Sequence, residues 1–127
     1  MPDSTRTVLI VEDDEDIRLI GACYFRELGF DVLEATSGNE GLRVLEERAD
    51  IDLLFTDIVM PGLDGFELAH LATQKRPNIR VLYTSGYLKD IPWGEMGVGY
   101  GRLLKKPWRR DGLKIEVDRL FGPTGHA

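Results

Sequence analysis

Five short apolar runs recur along this chain, separated by stretches long enough to hold a helix or an irregular connection. They are TVLIV (Thr7 to Val11), DVLEA (Asp31 to Ala35), LLFTD (Leu53 to Asp57), RVLYT (Arg80 to Thr84) and LLK (Leu103 to Lys105). Runs this short, rich in β-branched residues and bounded by turn formers, read as strands. Strands short enough to be buried on both faces, alternating with helices, predict right-handed βαβ crossovers and a mainly parallel five-stranded sheet between helical layers. The first helix is expected where the acids Asp14 to Asp16 meet the pattern Ile17, Ile20, Tyr24 and Leu28, ending at Gly29. Ser37 with Glu40, and Asp64 with Glu67, have the form of capping boxes, opening helices that run to about Arg48 and Arg76. A last helix is expected over about Asp111 to Phe121, with Leu113, Val117, Leu120 and Phe121 on one face. Gly86 to Gly101 carries five glycines and a proline without sustained helical periodicity, and reads as a loop.

Composition narrows the function classes. At 127 residues with 43% hydrophobic content the chain suits one compact domain. A net charge of −6 argues against a surface for nucleic acid or anionic membrane. No run approaches a membrane span, and the polar start MPDSTR is not a secretory leader. Cys23 is the only cysteine, so an internal disulfide is impossible and a reducing cytoplasm is the expected setting. Cys23 itself reads as a small core residue of the first helix. His70 and His126 stand apart, make no transition-metal set with one cysteine, and are expected at the surface.

The chemistry gathers at the strand ends. Asp57 stands where an apolar run gives out, just before Pro61-Gly62 turns the chain; alone, it is open to a turn-capping role as much as to a site. The set decides the matter. Glu12 and Asp13 follow the first strand, Asp57 ends the third, Ser85 follows the fourth and Lys106 the fifth. Parallel strands present their carboxyl ends at one edge, where open α/β sheets bind ligands. Glu12, Asp13 and Asp57 brought close would repel unless a cation neutralised them, and a hard, oxygen-rich, partly open site matches Mg²⁺. A carboxylate kept ionised can attack phosphorus to give an acyl phosphate, with Lys106 and Ser85 contacting the phosphoryl oxygens.

The segments LIVEDDEDIR, LLFTDIVMPGLDG, VLYTSGY and LLKKPW, in that order, resemble the receiver domain of bacterial two-component response regulators over about Thr7 to Phe121. Residues 1–6 and 122–127 are left as tails. The resemblance implies a flavodoxin-like doubly wound sheet of strand order 2-1-3-4-5. It further implies Asp57 as phosphoacceptor, and Mg²⁺ held by Glu12, Asp13, Asp57 and the main-chain carbonyl of Val59. Ser85 becomes the switch hydroxyl, Lys106 the phosphate-contacting lysine, and Lys106-Pro107 a candidate cis peptide. Lys105 is left as a solvated strand-end charge.

Two features depart from that pattern. Leu103 stands where receivers usually carry the aromatic residue of the switch, and the glycine-rich segment stands where a regular fourth helix is expected, so that helix should be irregular or absent. Glu12 in place of aspartate adds one methylene of reach, which a water-bridged metal contact absorbs. A haloacid-dehalogenase-type hydrolase would need an acid two residues after Asp57, and Val59 stands there; a flavodoxin-like ligand module would need a phosphate loop where the acids are. Trp93 and Trp108, with Tyr87 and Tyr100, suit either a partner surface or local core. The Arg109 and Arg110 pair suits a solvated patch or a kinase contact.

The expected role is a phosphorylatable receiver taking its phosphoryl group from a sensor histidine kinase or a histidine phosphotransfer protein, signalling through protein contact and not turning over as an enzyme. A phosphate sink, or a receiver excised from a hybrid histidine kinase, are the alternatives. The polar start and the FGPTGHA tail favour a single-domain regulator. Val59 and Tyr87 border the path of a hydrolytic water and offer no acid or amide to orient one, so a long-lived phosphoryl group is expected.

Overall fold

The computed structural model describes residues 5–86 and 101–122. Its elements alternate as β1 (Thr7–Val11), α1 (Glu15–Glu27), β2 (Asp31–Ala35), α2 (Gly38–Glu47) and β3 (Leu53–Asp57). Next come α3 (Gly65–Lys75), β4 (Arg80–Ser85), β5 (Arg102–Lys105) and α4 (Arg110–Phe121). All strand pairs are parallel, in the order β2-β1-β3-β4-β5. This is the doubly wound α/β sheet anticipated from the alternation. The reading of Gly86 to Gly101 as a loop without a regular helix falls mainly on residues 87–100, outside the described residues, as do Tyr87, Trp93, Tyr100 and His126.

Two-residue periodicity builds a core on each face. Leu9 and Val11 of β1, with Leu54, Val81 and Tyr83, pack under Leu45 of α2 and Phe66, Leu68, Ala69 and Ala72 of α3. Val8 and Ile10, with Leu53, Phe55 and Leu82, pack under Ala22 and Phe25 of α1 and Leu113 and Val117 of α4. Because successive side chains point to opposite faces, one apolar run serves both layers. The central strands β1 and β3 are buried throughout, while β2 and β5, at the edges, are only half-buried. Leu120 and Phe121 complete the expected face of α4.

The helix starts follow the capping logic, with one amendment. Asp14 caps α1 by accepting from the Ile17 N–H (3.1 Å), which leaves Glu15 and Asp16 in the first turn. Asp64 and Glu67 form a complete capping box on α3. At α2 only half of the box forms. Ser37 accepts from the Glu40 N–H (3.1 Å), but the Glu40 carboxylate reaches past it to the backbone N–H and hydroxyl of Thr36.

Helix α1 forms where expected and corrects one reading, that of Cys23. Its fully buried residues are Gly21, Ala22 and Phe25; Tyr24 and Leu28 pack beside that core, while Ile20 stands 46% exposed. Small residues at 21 and 22 bring the helix close to the sheet and to Trp108; a Cβ on Gly21 would lie 3.3 Å from Trp108 Cη2. A stripe of large residues could not approach so far. Cys23 follows the buried pair and faces solvent, so it is an exposed residue and not part of the core. His70 is half-buried on α3, within 3.1 Å of Gln74. No helix among the described residues is long and apolar enough to cross a membrane.

Candidate functional site

The carboxyl ends of the central strands open into a cleft of about 520 Å³. Its walls include Glu12, Asp13, Asp57, Val59, Ser85 and Lys106, so every residue singled out at a strand end reaches the same space. Topology explains the convergence. The chain leaves β1 toward β2 on one side and returns through β3 on the other, so the ends of β1 and β3 flank the point where the winding reverses.

Each group is held by its own local structure. The Glu12 backbone N–H donates to the Ala35 carbonyl (3.1 Å), extending the β1–β2 ladder by one step and turning the Glu12 side chain inward, where only 3% of the residue is exposed. Asp57 is 7% exposed, and the N–H of the next residue, Ile58, bonds the Thr84 carbonyl (3.0 Å). Gly65, the first residue of α3, lies against that strand end; its N–H donates to the Ile58 carbonyl (2.9 Å), and an added Cβ would overlap the Asp57 carbonyl oxygen. Ser85 is buried, and its carbonyl accepts from the Lys106 N–H (2.9 Å). The Lys106–Pro107 peptide is cis, as the sequence motif leads one to expect. Asp13 and Lys105 are exposed.

The electrostatics centre on Lys106. Its ammonium lies 2.7 Å from Glu12 Oε1 and 3.3 Å from Asp57 Oδ2, bridging β1 and β3. The other Glu12 oxygen accepts the Asp14 N–H (3.1 Å). This Glu12–Lys106 pair is absent from any reading of the sequence, since nothing local signals it. The extra methylene that seemed only to lengthen the reach to a metal also lets Glu12 meet the lysine. Burial pushes Glu12 up to about 7 in spite of its bonds to Lys106 and Asp14. Burial likewise raises Asp57, against the opposing pull of Lys106 and of the Val59 N–H. Burial lowers Lys106, but its two carboxylates outweigh that and leave it above its ordinary value. Both buried acids therefore lack sufficient positive charge.

Carboxylate oxygens of Glu12, Asp13 and Asp57 come within 4.8 Å of one another, close enough to share a metal ion. Among the described residues, one ammonium stands against these three carboxyl groups. A small divalent cation fits both the donor set and the unmet charge.

Trp108 resolves as local core. It packs edge-on against Phe55 (5.4 Å between ring centroids) and Tyr24 (5.9 Å). Arg110 pairs with Glu27 of α1 at 2.7 Å, on the exposed surface. Leu103 packs beside the cluster that contains buried Tyr83.

A parallel sheet with clustered acids and a lysine at its switch point defines a doubly wound α/β protein with a charged site at its strand ends, and comparison with known proteins narrows it. The chain belongs to the response regulator receiver domain family, whose model matches residues 8–118. It is 38% identical over 85 residues to the sensor kinase CckA of Brucella abortus, a match that spans 66% of this chain but 9% of that protein. It is 34% identical over 123 residues to the response regulator receiver protein CpdR of the same organism, covering 91% of this chain and 97% of CpdR. The crystal structure of a response regulator receiver protein from Sinorhizobium medicae superposes with a TM-score of 0.82 at 29% identity, covering 92% of this chain and 94% of that one.

Proposed function

We propose that this chain accepts a phosphoryl group on Asp57 from a phosphohistidine donor and signals through contact with other proteins. The observation that carries the reading is the Lys106 ammonium set between Glu12 and the buried Asp57, with Asp13 alongside in one open cleft. Similarity to a sensor kinase and to a receiver protein supports a histidine kinase or a histidine phosphotransfer protein as the donor.

An Asp57 oxygen attacks phosphorus in line with the phosphorus–nitrogen bond of the donor. The oxygen–phosphorus bond forms, the electron pair of the broken bond returns to the imidazole, and that ring takes up a proton from solvent. Lys106 is placed to stabilise charge on the moving phosphoryl oxygens, exchanging one partner for another without leaving the cleft. The Ser85 hydroxyl, at the end of the neighbouring strand, is placed to donate to one of the same oxygens. Glu12, Asp13, Asp57 and the Val59 carbonyl would hold Mg²⁺. When bound, it supplies the positive charge that these carboxylates and the phosphoryl group lack. The acyl phosphate is a modification of the protein itself, so the domain is a substrate of the transfer and not a turnover catalyst.

Val59 lines the cleft 43% exposed and has no group to orient a hydrolytic water, which supports a long-lived phosphoryl group. The test is transfer of labelled phosphate from a phosphorylated kinase. Label should enter the wild type only with a divalent cation present, and should fall at least about a hundredfold in Asp57→Asn. Wild-type labelling of that variant would end the reading.

A further inference from the structure

Thr84 is buried inside β4, one residue short of the cleft, and two of its own hydrogen bonds, with one made by Ser85 beside it, reach the site from different directions. Its carbonyl accepts the Ile58 N–H (3.0 Å), directly after Asp57. The carbonyl of the next residue, Ser85, accepts the Lys106 N–H (2.9 Å). Its hydroxyl accepts the indole N–H of Trp108 (3.0 Å), two residues beyond Lys106. Lys106 is thus held on both sides in the chain, by Ser85 at its own amide and by Thr84 through the tryptophan.

The indole is fixed in turn. It wedges between Phe55 of β3 and Tyr24 of α1, and the space for it comes from Gly21. A ring seated on three elements, with its one polar atom paired, has a single orientation. A phenylalanine could fill much of the same space but could not reach the hydroxyl. The strap is therefore a matter of one hydrogen bond as well as of packing.

We infer that Trp108 is a positioning residue: with Thr84 it fixes the loop after β5, so that the Lys106 ammonium stays between Glu12 and Asp57. The indole touches no reacting atom and acts only through Lys106. The long lysine stem has several rotatable bonds, and two anchors on its backbone reduce the positions its ammonium samples. A neutral buried hydrogen bond of this kind is worth about a fivefold bias between held and released arrangements. The inference rests on the proposed role of Lys106 in phosphoryl transfer, but its first readout does not.

The test uses Thr84→Val and Trp108→Phe, which keep volume and aromatic packing, with Thr84→Ser as the variant that restores the hydroxyl. In the metal-free protein, nuclear magnetic resonance of the Lys106 ammonium follows its proton exchange with water. We expect exchange about fivefold faster in Thr84→Val and Trp108→Phe, no faster in the double variant than in either single one, and near wild type in Thr84→Ser. The rate of phosphorylation by acetyl phosphate at saturating Mg²⁺ should fall by a similar factor in the same variants, with the Mg²⁺ dependence unchanged. Wild-type exchange in both single variants, or additive effects in the double one, would overturn the strap. Labelling that persists in Asp57→Asn would instead overturn the phosphoacceptor reading and leave the exchange result standing. A variant that unfolds is replaced by its partner, since either side of the bond suffices.

Discussion

At the carboxyl edge of the sheet three carboxylates crowd around one lysine, whereas at the amino edge Asp52, Arg76 and Arg80 turn to the backbone. Lys106, Glu12, Asp13 and Asp57 form the first arrangement. In the second, the Asp52 carboxylate accepts the Thr7 N–H (2.8 Å), Arg80 donates to the carbonyls of Asn78 (2.8 Å) and Leu120 (3.1 Å), and Arg76 donates to those of Arg48 (2.8 Å) and Leu45 (3.1 Å). Both edges are hollowed: the depression beside Asp52, Lys75 and Arg76 holds about 320 Å³. A polar hollow alone therefore does not mark a site. At the amino edge Asp52, Arg76 and Arg80 complete backbone groups that strand and helix ends left open, which is structural work, while Arg48–Asp50 and Lys75–Glu46 are balanced one-to-one ion pairs. At the carboxyl edge, among the described residues, three carboxylates face one ammonium, a surplus that suits a divalent cation.

The largest test of this contrast is Lys106→Met. Removing the Lys106 ammonium should slow phosphotransfer about a hundredfold, the usual cost of one preorganised charge-stabilising donor. A change under about threefold would place Lys106 with the structural charges. At the other edge Asp52→Ala should leave transfer unchanged and lower stability by about 2 kcal/mol in urea unfolding, because the buried Thr7 N–H loses its acceptor. If that variant transferred poorly while staying folded, the two edges would not be separable.

Titration sharpens the comparison further. Because burial carries Glu12 from its ordinary 4.5 to about 7, the folded protein keeps a proton that the unfolded chain has released. Its contribution to metal-free stability is fully present below about 4.5 and is lost as pH rises through about 7. One such proton limits the slope to about 1.4 kcal/mol per pH unit, and Glu12→Gln should flatten the profile in that window. Equal slopes in the two proteins, measured with chelator present, would refute the assignment. The smallest effect is a gain. Burial raises Asp57 as well, so Asp57→Asn should melt about 4 °C higher in the absence of metal.

Much of this was legible in the sequence because the signals are local. The strands announce themselves by β-branched runs and the helix starts by Asp14, Ser37 and Asp64. The convergence of Glu12, Asp13, Asp57, Ser85 and Lys106 follows from parallel topology alone. What escaped depends on facing partners. In α1 the residues Ile17, Ile20 and Tyr24 offer one apolar stripe and Ala22 and Phe25 another, and the wedge of Trp108 at Gly21 favours the second. Tyr24 and Leu28 still reach the core, but Ile20 turns out to solvent and Cys23, expected in the core, is exposed. The pairing of Glu12 with Lys106, and the backbone duties of Asp52, Arg76 and Arg80, join distant segments without any periodic or motif-like trace.

Gly65 leaves its mark on the genetics of the domain. Every single-base change that alters a glycine codon without ending the chain introduces a residue with a Cβ, and at this position that atom would overlap the carbonyl of Asp57 and crowd Ile58. No stepping stone exists. Leu19 and Ile115 stand exposed, and a substitution there meets no such obstacle. At Gly65 alanine is as disruptive as a larger residue, because the obstacle is the backbone of Asp57 and Ile58. The position is guarded by shape although it holds no chemistry, and a survey of random variants should find it as intolerant as Asp57 itself.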